Sequence, residues 1–562
     1  MSIIHKHISE IFVLSVVSGT LLLFININHL LNIDGILLVA VAFISIPILL
    51  TVFSEFKINK ILLLVLVFFP IILINYIYHI QNGSPVGFQD VHDHIYQYQH
   101  LFNNGIIQFS QAQAISYNSV GLYIFYKFLD IIINTDIAWL ASVIPPFVNI
   151  VITLVVFLLI NRLFSFRLAI ITTLIFGWSD QVLLFGHEFR TQTMGTLFLF
   201  CVLLLIAIFY LNKKTKSFRK TIIMLLLFGG LVLISFVSWI FAFIIFSMIL
   251  ISSVIFERKK DILISPFMII IFFLFFIFYI IYIGISLDST VTSVVNLLEN
   301  FFVNELSSPR IGQLIYGSFI QWFMYCFWGI FIISSIYYLK EIFFKKLDIL
   351  KIAFFVSFVV LFLFGFILSI SSGTLSTARV YIVIMILIGT VITFGIFKLF
   401  SGTKTKHNKI FIKLFTTLFI ILFISTSLAK LPNYVIGETK PLREKTDIDK
   451  YNYWRLDNND YAASSFMDSI YYNRTIHLHL LIKNYMLLKL YDKNQMPDAK
   501  SIDPTGKLIN TKIQNGDIIL LQDKAWGNEY ALRNLLPAKN AYYEYNALYD
   551  NHDYILFMKN EE

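Results

Sequence analysis

Charge is scarce in this chain. Only 14% of its 562 residues are Asp, Glu, Lys or Arg. A soluble protein of this length needs a charged shell over its core, so a water-soluble globule is excluded. Cysteine is scarcer still: Cys201 and Cys326 are the full complement, and both lie inside apolar runs. A disulfide framework is thereby excluded, and both thiols read as small core hydrophobes. Metal-binding motifs of diagnostic spacing are lacking too. The first apolar run, about residues 11–31, has no small-residue cleavage site, so no cleavable signal peptide is expected.

Hydrocarbon fills the space. Hydrophobic residues make up 58% of the chain and the mean hydropathy is +0.77. Apolar runs of about 20 residues, the length that crosses a bilayer core, recur along it. Candidate spans begin near residues 11, 35, 59, 137, 167, 191, 220, 238, 262, 316, 348, 379 and 408. They predict an all-α polytopic membrane protein of about 13 transmembrane helices. The run "TIIMLLLFGGLVLISFVSWIFAFIIFSMILISSVIF" is too long for one span and predicts a turn near Phe236–Ser238.

The net charge of +9 does not point to nucleic acid, because the basic residues sit in short loops between apolar runs. With the N-terminus inside, alternate loops carry eighteen lysines and arginines, among them Arg162, Lys213, Lys214, Arg258 and Lys345. The other loops carry four: Lys127, Arg190, Arg310 and Arg379. That asymmetry predicts a multi-pass plasma-membrane protein with a cytoplasmic N-terminus. Residues 1–430 form the transmembrane domain. Residues 431–562 form a small extracytoplasmic α/β domain, with a helix-like stretch "NNDYAASSFMDSIYY" and strand-like runs "GDIILLQ" and "YILFM".

The outer side carries the unusual chemistry. The loop 80–136 opens on "GFQDVHDHIYQYQHLFNNG", which crowds Asp90, His92, Asp93 and His94 against the end of an apolar run. If this piece is helical, Asp90, Asp93 and His94 share a face, being three or four residues apart. Asp90 and His94 could together hold a divalent cation. After Gly105 the chain reads as juxtamembrane helices with interfacial aromatics. A second outer segment, "GWSDQVLLFGHEFRTQTMG", holds Asp180, His187, Glu188 and Arg190, and a third, "SSGTLSTARVY", holds Arg379. Solvated helix ends or arginines snorkelling to headgroups would account for any one of these. Scarce arginines on the same side as clustered carboxylates point to an anionic ligand. The stretch "DSTVTSVVNLLENFFVNELSSPRIG" reads as an amphipathic helix on the bilayer, followed by Arg310.

An acidic motif just past a transmembrane helix, "QDVHDH", a late outer arginine in "STARVY" and a soluble outer domain resemble the GT-C superfamily of membrane glycosyltransferases. That superfamily includes oligosaccharyltransferases, protein O-mannosyltransferases and the aminoarabinosyltransferase of lipid A. Two features differ. Two extra spans precede the acidic loop, and no WWD-type signature stands in the C-terminal region, which sets the chain apart from the oligosaccharyltransferase branch.

The resemblance implies a GT-C-like fold and transfer of a sugar from a polyprenyl-phosphate donor at the outer face. The acceptor is a glycan, lipid or protein, and the partners are that donor and membrane lipids. It assigns the base to Asp90, oriented by His94, with Asp93 as second choice. The departing lipid phosphate falls to Arg379, with Arg190 and Glu188 secondary and His187 and Arg310 further candidates. The resemblance fixes no cofactor: either a fixed arginine or a divalent cation stabilises that charge. The competing readings are an envelope polysaccharide polymerase or ligase and a multi-span lipid or solute transporter. A glycosyltransferase requires Asp90 and Arg379 to converge on one cavity.

Overall fold

A computed structural model describes residues 2–27, 34–53, 59–82, 94, 98, 102, 120–135, 137–180, 182–183, 191–211, 218–256, 266–282, 318–344, 348–372, 374–402 and 405–435, together with five short strands beyond residue 475. The helices in chain order are α1 (Ser2–Ile27), α2 (Asp34–Phe53), α3 (Lys60–Asn82), α4 (Val120–Ile133), α5 (Ile137–Leu163), α6 (Phe166–Gly177), α7 (Thr191–Leu211), α8 (Phe218–Ile234), α9 (Phe236–Phe256), α10 (Pro266–Tyr282), α11 (Ser318–Phe343), α12 (Ile349–Ser372), α13 (Thr374–Gly402) and α14 (Lys406–Val435). Eight of the described helices, α1, α2, α5, α7, α9, α11, α13 and α14, are long and apolar enough to cross a membrane. Shorter apolar stretches lie in α3, α6, α8, α10 and α12. The protein is a polytopic membrane protein.

In hydrocarbon every backbone amide needs a partner, which selects helix for these runs despite their β-branched content. Side-chain hydroxyls follow the same rule. Thr20, Thr51, Thr153, Thr390, Thr393 and Thr416 each donate to the carbonyl four residues earlier, at 2.6–2.9 Å. Pro47, Pro70, Pro145 and Pro146 sit inside helices, as membrane helices tolerate when neighbours cover the freed carbonyls. The long run expected to turn near Phe236–Ser238 breaks just before it, at Ser235. The Ser235 hydroxyl accepts from the Ser238 amide at 3.3 Å and caps α9.

The chain divides into two compact units. The first comprises Met1–Gln81, Phe109–Asn134 and Val143–Ile436. Its centre is α13, whose window Ile382–Leu399 is 83% buried against 28% for the windows in α1 and α11. α6, α11, α12 and α14 pack on α13, and α9 packs on α12. Glycine permits the closest approaches: a Cβ on Gly395 of α13 would lie 2.6 Å from Ser334 Cβ and 2.9 Å from its Cα. Cys201 is half-buried and Cys326 exposed, so the reading of both as core hydrophobes fails for Cys326. The reason is physical: a thiol on the outer surface of a membrane helix meets lipid, at little cost.

α4 crosses the end of α8, where a Cβ on Gly121 would lie 3.0 Å from the Leu233 carbonyl oxygen. Tyr123 and Tyr126 are buried, whereas Ile124, Phe128 and Ile131 form an exposed apolar stripe, as a juxtamembrane helix requires. Asn134, at φ 55°, closes α4 in the left-handed conformation.

The second unit comprises Asn82–Gln108, Thr135–Ser142 and Gly437–Glu562. It contains one five-stranded sheet of β1 (Ile476–His479), β2 (Ala499–Ile502), β3 (Ile518–Gln522), β4 (Tyr545–Asp550) and β5 (Tyr554–Lys559), in the order β2-β1-β3-β5-β4. β1 pairs in parallel with β2 and β3, and β5 pairs antiparallel with β3 and β4. The two strand-like runs read from sequence are β3 and β5. The helix-like stretch 458–472 lies outside the described residues, as does the amphipathic segment 288–312.

Candidate active site

Most of the residues singled out by sequence lie outside the described residues. Asp90 and Asp93 lie outside the described residues, in the stretch that follows α3. His94 is described: it is helical, 3% exposed and has an interaction partner. With Tyr98 and Phe102 it makes one helical face, and Tyr98 and Phe102 pack ring to ring at 5.0 Å. His187, Glu188 and Arg190 fall outside the described residues, directly before α7, and Arg310 likewise. Arg379 belongs to the early turns of α13, but its side chain is outside the described set; the next residue, Val380, is buried. The convergence of Asp90 and Arg379 is thus outside what is described. Among the described residues no three His, Cys, Asp or Glu side chains are grouped to hold a metal ion. Of the Asp90–His94 pair, only His94 is among the described residues.

What the described residues do bring together is a buried polar knot of α3, α5 and the chain that leaves α6. Asn75 of α3 and Asn149 of α5 are 2% and 1% exposed. Asn149 Nδ2 donates to Asn75 Oδ1 at 2.7 Å and to the Val182 carbonyl at 3.2 Å. Asn75 Nδ2 donates to the Ile71 carbonyl at 2.8 Å. One residue on, the Tyr76 hydroxyl donates to the Val143 carbonyl at 3.1 Å, in the turn before the Pro145–Pro146 pair. An amide left unpaired at such burial would cost about 1–3 kcal/mol, so each side chain needs the others.

The third member of the knot exists because α6 breaks. Ser165 caps its start, accepting from the Leu168 amide at 3.4 Å. At its end the Trp178 amide bonds the Leu174 carbonyl, and the Ser179 hydroxyl donates to the Phe176 carbonyl and accepts from the Val182 amide. Helix then resumes at Asp180, Val182 and Leu183. Gly177 lets this corner press on its neighbours: a Cβ there would lie 2.8 Å from Ile71 Cδ1 and 3.1 Å from Thr153 Cγ2. Trp178 is fully buried with its indole N–H unpartnered, and the Thr173 hydroxyl is in the same condition. Asp180 beside them is half-buried and has a partner.

No protein-family model matches the chain, and no curated protein does. Solved structures do. The apo oligosaccharyltransferase of Archaeoglobus fulgidus superposes with a TM-score of 0.51 at 11% identity, over 88% of this chain and 74% of that one. ArnT from Cupriavidus metallidurans, bound to undecaprenyl phosphate, superposes with a TM-score of 0.51 at 10% identity, over 88% of this chain and 97% of that one. The chain shares the fold of these two solved structures. The match spans 64% of the archaeal oligosaccharyltransferase AglB in its complex with an inhibitory peptide and a dolichol-phosphate.

Within this fold, sequence reading passed over Asn75, Asn149 and Ser179. A signal for the first two was present: each is a lone amide in an otherwise apolar run, where an unpaired polar side chain is costly. Nothing local says that the two meet, since 74 residues separate them.

Proposed function

We propose that this chain is an integral membrane glycosyltransferase that moves a sugar from a polyprenyl-phosphate donor to an acceptor on the outer face of the membrane. In this reading the chain crosses the membrane thirteen times, with the N-terminus inside and residues 431–562 outside as an α/β domain. The observation that carries it is the GT-C fold over 88% of the chain, joined to an acidic motif in the sequence that follows α3. The ArnT neighbour was solved with undecaprenyl phosphate, and the archaeal oligosaccharyltransferase, at a TM-score of 0.50, with a tethered acceptor peptide. Those two ligand classes are the donor carrier and the acceptor that the reaction needs.

The reaction inverts at the anomeric carbon. The acceptor hydroxyl attacks, its proton passes to the Asp90 carboxylate, and the bond from carbon to phosphate oxygen breaks with its electron pair on the lipid phosphate. His94 orients Asp90, and Asp93 is the alternative base. Arg379 stabilises the phosphate charge, which a guanidinium fork does better than a point charge. Arg190, with Glu188 and His187 beside it, is the secondary phosphate ligand, and Arg310 the weakest candidate. A divalent cation held by Asp90 and His94 would serve the same charge.

Purified protein incubated with radiolabelled polyprenyl-phosphate sugars tests this directly. Wild type is expected to transfer label and Asp90→Asn to lose at least a hundredfold in rate, the scale of general-base loss. Undiminished transfer by a correctly folded Asp90→Asn would remove the central assignment.

A further inference from the structure

We infer that the Asn75–Asn149 pair is a positioning device for the transfer site, and that its value lies in register more than in stability. The inference rests on the glycosyltransferase reading for its kinetic part and on the geometry for the rest. α3 runs on past Asn75 into the segment that carries Asp90 and Asp93. Val182, whose carbonyl Asn149 also holds, runs on into the segment that carries His187, Glu188 and Arg190. One amide of α5 therefore binds, at 2.7 Å and 3.2 Å, the two stretches of chain from which both candidate clusters depart.

The chemistry of the pair favours this role. Apolar side chains pack helices together in lipid as well as amides do, but they slide between neighbouring registers with little penalty. A side-chain amide bonded to another amide and to a carbonyl is satisfied in one register only, which is the best-attested use of a buried polar group. The surroundings lock the same register. The Tyr76 hydroxyl reaches the Val143 carbonyl one residue along, and Gly177 sits flush on Ile71 and Thr153. Neither asparagine carries a charge or joins the proposed proton transfer, so both act through the groups they hold in place.

The test compares Asn75→Leu, Asn149→Leu and the double leucine variant with wild type. Removing one partner strands the other, whereas replacing both with apolar groups of similar size can be nearly neutral. Each single variant is expected to melt below wild type in detergent, and the double variant to regain most of that loss. A positioning role predicts that the double variant nevertheless stays about tenfold to a hundredfold down in kcat, with donor KM within about threefold of wild type. Recovery of kcat together with melting temperature would show the pair to be structural only and overturn the inference, as would full kcat in the single variants. Where the leucine variants fail to fold, Asn75→Ser and Asn149→Ser, too short to span the pair, serve the same comparison.

A second arm needs no activity. With Cys201 and Cys326 replaced by alanine, nitroxide labels on cysteines at Gln81 and Leu184 report the two departure points by their distance distribution. One narrow distance that broadens in the double leucine variant supports the inference, and an unchanged distribution overturns it. If wild type transfers from no donor, the glycosyltransferase reading fails and this arm still decides whether the pair sets register.

Discussion

Arg379 is where residue-scale chemistry can be separated from simple charge. In the proposed phosphate-binding role, lysine at that position would keep the positive charge but lose the planar fork suited to two phosphate oxygens. Arg379→Ala is therefore expected to lower kcat/KM by about a hundredfold or more, and Arg379→Lys to fall between it and wild type, in assays that titrate the donor. A snorkelling arginine would leave both variants near wild type. The residues of this scale differed in how visible they were. Asp90, Asp93 and His94 stand out because ionisable groups are expensive next to hydrocarbon, so their presence asks for a reason. Asn75 and Asn149 were visible as costly amides in apolar runs, but their pairing was hidden, because each partner lies in another helix. Trp178, fully buried with its N–H unpartnered, drew no separate reading within the segment noted for Asp180 and Arg190.

Helices in this fold meet through small residues, and that gives the element scale its sharpest expectation. A methyl group on Gly395 would press on the Ser334 backbone, which cannot move without displacing α11 from α13. Gly395→Ala is expected to destabilise by about 1–3 kcal/mol, the usual cost of overpacking. Gly329→Ala, where nothing lies within 4 Å, is expected to stay within about 0.5 kcal/mol of wild type. Thermal melting of the two variants in the same detergent measures the difference. Helix positions were largely legible, since an apolar run of membrane length can satisfy its backbone in few other ways. The break at Ser235 came out one residue early because the cap is set by one hydroxyl, a detail that hydropathy does not register. Strands β3 and β5 were legible as apolar runs. β2, "AKSI", was not, because its strand character comes from pairing with β1 rather than from its own side chains.

At the scale of the whole molecule, the proposed orientation rests on the distribution of lysine and arginine. Single cysteines at Gly83 and at Lys214, in a background lacking Cys201 and Cys326, are expected to react oppositely with a membrane-impermeant maleimide on intact cells. Gly83→Cys should label and Lys214→Cys should be protected until the membrane is opened; the reverse pattern would invert the topology. Pairings between distant helices could not be read, because a run of Ile, Leu and Phe looks alike whichever neighbour it meets. The contact of α6 with α13 is the clearest instance. The Thr172 hydroxyl meets that of Thr393 at 3.5 Å across 221 residues of chain. α6 has only twelve residues, about 18 Å of helix, and it is buried almost throughout. A ribosome adding about 5–20 residues per second needs on the order of 10–40 s to pass from one to the other. During that interval the face of α6 that carries Thr172 is in the membrane without the helix that covers it. Biosynthesis of this protein therefore has a built-in waiting period, in which α5, α7 or an insertion chaperone must shelter α6 until α13 arrives.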